Sequence, residues 1–312
     1  MHPDVVLWPV FGVLVAGALA IDLGVFQRKA HVVSTREAVA WTLVWVALAL
    51  AFNLGVWHFK GRTAAAEFLA GYLIEKSLSV DNIFVFVLVF SYFAVPAQYQ
   101  SRILVWGILG ALVMRGAFVA AGAALLAMFH WVIYVFGAML IVTGARLIAK
   151  TEEPDPGRNP VVRLARRFLR FTDTLDGQKF LTRVDGRLAA TPLLLVVMVV
   201  ETTDLIFAVD SIPAIFAITT DPFIVYTSNI FAVLGLRSLY FLVAHLVTAF
   251  RYLKYGLVLI LWFVGAKLLL TGVVKIPIGV SLAVIGAVLA GSIALSLLAP
   301  ARPPAKERSA ET

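Results

Sequence analysis

Carboxylate side chains lie inside two strongly apolar stretches of this sequence, where little water is expected. They are Glu75, Asp81, Glu201, Asp204 and Asp210. Carboxylate oxygens suit hard divalent cations such as Mg²⁺, Ca²⁺ and Mn²⁺, whereas tetrahedral zinc and cuprous sites favour cysteine or histidine. The residue types therefore predict an oxygen-rich cation site. Five carboxylates carry more negative charge than one divalent ion neutralises, so we expect some of them to be protonated or paired with a cationic side chain when no ion is bound.

Helical spacing brings several of these side chains to a common face. Glu201 and Asp204 are three residues apart and Asp204 and Ser211 are seven apart, so all three share one face of a helix. The earlier stretch carries a matching stripe formed by Glu75, Ser79 and Asn82. We therefore predict one metal site between the two stretches. Its ligands are the five carboxylates, with Asn82 and Ser211 behind or beside them.

Two of the carboxylates do not fit this stripe in a regular helix. Asp81 and Asp210 fall about 100° away from it. Pro213 clashes with the carbonyl of Val209 and leaves that oxygen without an amide partner. We therefore predict a helix break near Pro213, which would supply a backbone oxygen and turn Asp210 toward the other ligands.

The composition defines the kind of protein that must position these groups. The chain is 61% hydrophobic and 14% charged, with a mean hydropathy of +0.95, whereas soluble domains are about 45–50% apolar and ~25% charged. It has no cysteine, which excludes disulfides, thiolate metal sites and a cysteine nucleophile. No Walker A motif or other cofactor motif is present, so we expect neither an enzyme nor a bound cofactor.

Repeated apolar runs of about 20 residues are each long enough to cross a bilayer. They predict an all-α polytopic membrane protein with about nine transmembrane helices. The predicted spans are 5–25, 38–57, 65–93, 102–125, 131–149, 190–219, 228–249, 255–274 and 277–298.

The basic residues predict the orientation of the chain. Alternate loops are rich in lysine and arginine, and the loop at 150–189 alone carries nine of them. The positive-inside rule then places the N-terminus outside and the C-terminus in the cytoplasm. The same rule explains the net charge of +8, so we expect membrane lipids rather than nucleic acid as partners. Residues 163–171 either form a basic amphipathic helix on anionic lipid or belong to an ordinary cytoplasmic loop.

Three short matches indicate an internal repeat. SVDNIF at 79–84 resembles AVDSIP at 208–213, and GAMLIVTG at 137–144 resembles GAKLLLTG at 265–272. An arginine lies between the two motifs in each case: Arg115 between 79–84 and 137–144, and Arg237 between 208–213 and 265–272. Spans 3–5 therefore match spans 6–8 in order but with opposite topology, as in many secondary transporters. The chain is therefore predicted to divide into five parts. These are spans 1 and 2 at 1–64, the first repeat at 65–149, the basic cytoplasmic loop at 150–189, the second repeat at 190–275, and span 9 with the cytoplasmic tail at 276–312.

Charges inside a membrane need partners, water or a bound ion. Each costs about 2.5–3.5 kcal/mol at the bilayer centre even on a lenient scale. We expect Arg115 and Arg237 to neutralise carboxylates while the site is empty and to release them when metal enters. The competing interpretation is a set of static structural ion pairs.

Two long blocks carry a resemblance to a known family. YLIEKSLSVDNIFVFVLVFSYF (72–93) and VVETTDLIFAVDSIPAIFAITTDPFIVYTSNIFAVLGLRSLYF (199–241) resemble the signature blocks of the TerC family. The resemblance covers roughly residues 5–298. It implies a protein of the bacterial inner membrane, from a family associated with tellurium resistance whose members are described as manganese exporters. The family's intramembrane acidic residues match the five carboxylates named above.

Several functions remain open on this basis. The first is a Mn²⁺ exporter driven by protons or by the membrane potential, and a carrier of Ca²⁺ or another hard divalent cation is closely related. The second is a tellurite-resistance component, either an anion handler or a scaffold that docks soluble partners through 150–189. An anion site should be rich in arginine and lysine, and this one is rich in carboxylates. The third, a metal-dependent membrane enzyme, lacks an identifiable nucleophile.

Overall fold

The computed structural model describes residues 3–21, 32–149, 160–172, 174–184, 186–243 and 252–298. Within these ranges the chain forms ten helices and one two-stranded antiparallel sheet. The helices are α1 Pro3–Ile21, α2 Thr35–Tyr92, α3 Ala97–Met128, α4 Val132–Ala149, α5 Pro160–Phe168, α6 Pro192–Phe216, α7 Pro222–Leu234, α8 Leu236–Val243, α9 Leu253–Leu269 and α10 Ile278–Leu298. The strands are β1 Leu181–Val184 and β2 Arg187–Ala190.

Helix α2 reverses its direction at Gly61. Its 58 residues would extend about 87 Å if straight, nearly three times the ~30 Å hydrocarbon core. Gly61 has φ 88° and ψ 177°, a conformation open mainly to glycine. The rings of Phe52 and Phe68 then lie 5.7 Å apart, whereas a straight helix would separate them by about 24 Å. The two halves of α2 correspond to the predicted spans 2 and 3.

The helices agree with an all-α membrane protein, but they do not confirm nine spans. Six helices of the described ranges are long and apolar enough to cross a membrane: α1, α2, α3, α4, α6 and α10. A seventh span arises if α7 and α8, which meet at 43°, count as one broken crossing. Each of the nine predicted segments overlaps a helix. Helix α9, which overlaps predicted span 8, has 17 residues and is not among the six. The number nine stays a prediction.

The predicted break in span 6 is wrong. Helix α6 continues through Pro213 and ends at Phe216. Pro213 removes one helical hydrogen bond, the one its amide would make to Val209, and only three helical residues follow it. The interruption lies in the predicted span 7 instead, at Gly235 between α7 and α8.

Close helix packing occurs where the two GA…TG motifs meet. Helix α4 packs against α9, and Gly137 faces Gly265 at the crossing. A Cβ on either glycine would lie 2.9 Å from the carbonyl oxygen of the other, so only hydrogen fits at both positions. Elsewhere α2 packs against α7 and α3 packs against α6. These four helices surround the polar centre described below.

The described part of 150–189 forms α5 and the β1–β2 hairpin, in register from Leu181 opposite Ala190 to Val184 opposite Arg187. Arg102 at the start of α3 donates to Gln178 at 2.9 Å and lies over the ring of Phe180. Hydrogen bonds from Thr182 and then Lys179 lower the pKa of Asp176 in the same loop. The loop is thus a folded element attached to the membrane helices.

Candidate cation site

Arg115 of α3 is the centre of a buried polar network. Its Nε and Nη2 atoms donate to the two carboxylate oxygens of Asp204 on α6, at 3.2 and 2.9 Å. Its Nη1 atom donates to Glu75 Oε1 on α2 and to Asn229 Oδ1 on α7, the latter at 2.8 Å. One guanidinium therefore joins four helices.

Asn229 completes this network from its other side. Its amide nitrogen donates to Glu75 Oε2 at 3.0 Å, so both carboxylate oxygens of Glu75 have partners. The sequence analysis missed this residue. Thr227 and Ser228 beside it are also buried, and three consecutive polar residues within an apolar span were a signal that could have identified α7 as part of the site.

The network combines two carboxylates with one guanidinium, which leaves a formal excess of one negative charge when both acids are ionised. Glu75 and Arg115 are fully buried and Asp204 is 4% exposed. A buried charge without full compensation is costly, so this position favours a proton or a cation as a further partner. Chemically, the arrangement can attract and coordinate a positive ion.

Helices α2 and α6, which carry Glu75 and Asp204, also hold buried oxygen atoms without hydrogen-bond partners. Among the described residues they include Asn82 Oδ1, Ser79 Oγ, Ser211 Oγ and Glu201 Oε2. Buried polar atoms are normally hydrogen-bonded, and unpaired ones call for water, an ion or a functional explanation. Asn82, Ser211 and Glu201 belong to the predicted ligand set. Their unpaired oxygens fit a cation that prefers oxygen ligands.

The carboxylate of Glu201 occupies a space that a glycine provides. A Cβ on Gly110 of α3 would overlap this carboxylate. Glu201 lies three residues before Asp204 on α6, so the two carboxyl groups share one face of the helix. It is not among the hydrogen-bond partners of Arg115 described above, so it remains available beside the network.

The other predicted residues lie farther along the same helices. Asp210 accepts a hydrogen bond from Thr143 of α4 at 2.8 Å. The backbone of Asp81 belongs to α2, but its side chain lies outside the described part of the structure. Arg237 of α8 is buried, and its Nη1 donates to Ser101 Oγ at 3.3 Å. Arg237 and Asp204 line one small cavity whose other walls are apolar.

The described side chains do not assemble into a complete metal cage. Within the described ranges, no group of three or more histidine, aspartate or glutamate side chains is close enough to hold a metal ion. The physical reason is that Arg115 occupies the space between Glu75 and Asp204, while Asp210 bonds to α4. The predicted ligand set therefore stays a prediction, and a cation that used both Glu75 and Asp204 would have to displace the Arg115 bonds.

A partly buried lysine lies at the break between α7 and α8. Lys76, next to Glu75 on α2, donates to the carbonyl oxygen of Ala232 at 2.9 Å and lies 5.7 Å from the ring centre of Tyr72. Carbonyl groups at a helix C-terminus carry partial negative charge, which an ammonium group stabilises. Lys76 thus holds the end of α7 against α2.

With this geometry established, comparison with known proteins gives the class of the chain. It belongs to the Integral membrane protein TerC family, whose sequence pattern matches residues 59–303. The resemblance inferred from the two signature blocks is therefore confirmed. The chain is an integral, multi-pass membrane protein of that family.

Relatives cover nearly the whole chain. An uncharacterised membrane protein of Myxococcus xanthus is 52% identical over 97% of this chain and 96% of its own length. The protein Alx of Escherichia coli (strain K12), named as a proposed membrane-bound redox modulator, is 51% identical over 91% of both chains. The Alx protein of Shigella flexneri is also 51% identical, over 91% of this chain and 92% of its own. No solved structure matches this chain.

Proposed function

We propose that the protein transports a hard divalent cation, Mn²⁺ first among them, out of the bacterial cytoplasm across the inner membrane. The observation that carries this proposal is the set of buried oxygens without a hydrogen-bond partner on Asn82, Ser211 and Glu201, which lie on the same two helices as Glu75 and Asp204, the acids bonded to Arg115. Oxygen ligands of mixed charge suit Mn²⁺, Mg²⁺ and Ca²⁺. Ca²⁺ or another hard cation is the close alternative substrate.

Charge balance suggests how the site works. While Arg115 bonds to Glu75 and Asp204, it satisfies four carboxylate oxygens with the help of Asn229. A divalent cation held by the two carboxylates would neutralise both, and the guanidinium would then turn to water or to another acid. Arginine suits this role because it remains charged throughout. The surplus carboxylates allow protons to move in the opposite direction.

The predicted inverted repeat explains why Arg115 lies between these two acids. Glu75 and Asp204 each precede the aspartate of the repeated motif, Asp81 or Asp210, by six positions. They are therefore equivalent residues of the two halves, and Arg115 bridges them. Gly137 and Gly265, also equivalent, meet reciprocally. Such contacts are expected near a two-fold axis, where the substrate sites of inverted-repeat transporters lie.

Two other functions receive less support. A tellurite-binding or other anion site would meet a carboxylate excess around Arg115, which repels anions. The name of the relatives proposes redox modulation. This chain has no cysteine, so it performs no thiol–disulfide exchange itself. A carrier of redox-active metal ions would change cellular redox state indirectly, so the name is compatible with cation transport.

Cellular metal content tests the proposal. We expect cells that lack the protein to accumulate manganese during a manganese challenge, and expression of the wild type to lower it. Asp204→Asn should fail to lower it at equal membrane abundance, whereas Asp176→Asn, the same change in an exposed loop, should act as wild type. Calcium and iron measured in parallel identify the preferred ion. Unchanged contents of all three metals on deletion would refute the proposal.

A further inference from the structure

We propose that α5 lies on the cytoplasmic surface of the membrane and binds anionic lipid headgroups through Arg163, Arg167 and Arg170. In this arrangement Leu164 and Phe168 enter the interfacial region of the bilayer. The inference is independent of the transported ion. It requires only that the start of α6 lies at the membrane boundary.

The inner face of α5 fixes its position at that boundary. Val162 and Ala165 are buried, and they belong to the same apolar cluster as Leu193 and Val196 in the first turns of α6. Helix α6 is long and apolar enough to cross a membrane. Its first turns therefore lie near the headgroups, and α5, packed against them, lies at the same level.

The loop after α5 holds the helix in this place. The amide of Ala190 donates to the carbonyl of Arg170 at 2.7 Å, and that of Thr172 donates to the carbonyl of Ala190 at 2.9 Å. Strand β2 ends at Ala190 and continues directly into α6. The segment directly after α5 is thus attached by two backbone hydrogen bonds to Ala190, two residues before the membrane helix α6 begins.

The outer part of α5 combines exposed apolar and basic side chains. Leu164 is 57% exposed and Phe168, four residues later, is 75% exposed. Arg163 and Arg167 have the same spacing and are also exposed. Residues four apart share a helix face, so a leucine–phenylalanine pair lies beside an arginine pair.

This combination is complementary to an anionic membrane surface. Interfacial helices bury large apolar side chains at the acyl boundary while arginine and lysine bind headgroups, and basic residues near the surface are attracted to anionic lipid. If α5 faced water instead, the exposed ring of Phe168 would remain hydrated, which is less favourable in free energy than burying it in an apolar environment. The position, the apolar pair and the positive charge together favour lipid as the partner of this face.

The absence of cysteine permits a direct test in the complete protein. Phe168→Cys, labelled with an environment-sensitive fluorophore, is reconstituted into nanodiscs of phosphatidylcholine with or without phosphatidylglycerol. Thr174→Cys in the exposed loop gives the aqueous reference. Val113→Cys, on the exposed side of α3, gives the lipid reference. Size-exclusion profiles in detergent show that each variant is folded.

We expect the emission of the label at position 168 to shift toward that of the label at 113 in nanodiscs with phosphatidylglycerol. Nitroxide-labelled lipid should quench it there, while the label at 174 stays aqueous. Adding Arg163→Gln and Arg167→Gln should remove the dependence on phosphatidylglycerol. An aqueous signal at 168 in both lipids would overturn the proposal. Insertion that ignores both the anionic lipid and the arginines would overturn headgroup binding.

Discussion

Arg115 and Asp204 form a two-point ion pair inside the membrane domain, with Nε–Oδ2 at 3.2 Å and Nη2–Oδ1 at 2.9 Å. This geometry fixes the relative position of α3 and α6 more strictly than a single bond would. Because the same guanidinium also bonds to Glu75, any cation that uses both acids competes with Arg115. The predictions below separate this competition from a purely structural role.

Removing the arginine should destabilise the protein more than removing one acid. Arg115→Gln leaves two buried carboxylates without their counter-charge, and breaking a buried pair in this way costs about 3–5 kcal/mol. Glu75→Gln preserves the pair with Asp204 and cancels the excess negative charge, so we expect a smaller loss. Thermal unfolding of both purified variants in detergent measures the difference.

The double variant Arg115→Gln with Glu75→Gln provides the control for that comparison. Because it removes one charge of each sign, it should recover part of the stability lost in Arg115→Gln alone. If Glu75→Gln lowers the unfolding temperature as much as Arg115→Gln does, the charge argument is wrong.

A methyl group on Gly110 should disturb Glu201 without disturbing the fold. In Gly110→Ala the new Cβ overlaps the Glu201 carboxylate, which is the end of a flexible side chain and can move away. We expect normal folding and a clear decrease in Mn²⁺ uptake by proteoliposomes. Gly55→Ala is the matched control because a Cβ there meets nothing within 4 Å. Equal uptake by the two variants would show that the position of Glu201 is unimportant.

The sequence correctly predicted which helix faces are buried at this site, but it did not predict how the side chains on them contact one another. The spacing of Glu75, Asn82, Asp204 and Ser211 correctly indicated buried faces on α2 and α6. It could not show that Arg115 bonds to two of the acids at once, because that contact depends on how α3 packs. The orientation of Asp210 toward Thr143 is likewise a product of tertiary packing rather than of helical period.

Breaks in helices were also only partly predictable. Pro213 drew attention because of its chemistry, yet α6 continues through it for three more residues, to Phe216. The sequence placed the turn between spans 2 and 3 within 58–64 but did not single out Gly61, whose positive φ reverses α2. Glycine permits such a conformation without requiring it, so the surrounding packing decides.

The crossing of α4 and α9 should tolerate no side chain larger than hydrogen. In Gly137→Ala or Gly265→Ala the Cβ would meet a backbone oxygen at 2.9 Å, and the two helices must separate. Overpacking of this kind costs about 1–3 kcal/mol. The unfolding temperature should fall for both, and Gly286→Ala, with open space around it, should match wild type. A stable Gly137→Ala would contradict the close contact.

The predicted orientation places the loop between α5 and β1 in the cytoplasm and the 219–221 turn on the outer side of the membrane. Thr174→Cys and Thr220→Cys are both in exposed positions of a chain that has no other thiol. An impermeant thiol reagent applied to intact cells should label position 220 and spare 174. After permeabilisation both should react. The reverse pattern in intact cells would invert the topology and the direction of the proposed lipid contact.

The most direct test of the central claim removes buried side-chain oxygens of α2 and α6 while leaving Arg115, Glu75 and Asp204 in place. The double variant Asn82→Ala with Ser211→Ala loses two such oxygens. Ser292→Ala removes a buried hydroxyl that bonds within its own helix α10 and serves as the control. If a cation binds between α2 and α6, the double variant should fold yet take up Mn²⁺ in proteoliposomes at least about tenfold more slowly. Uptake at the wild-type rate would contradict the proposed site.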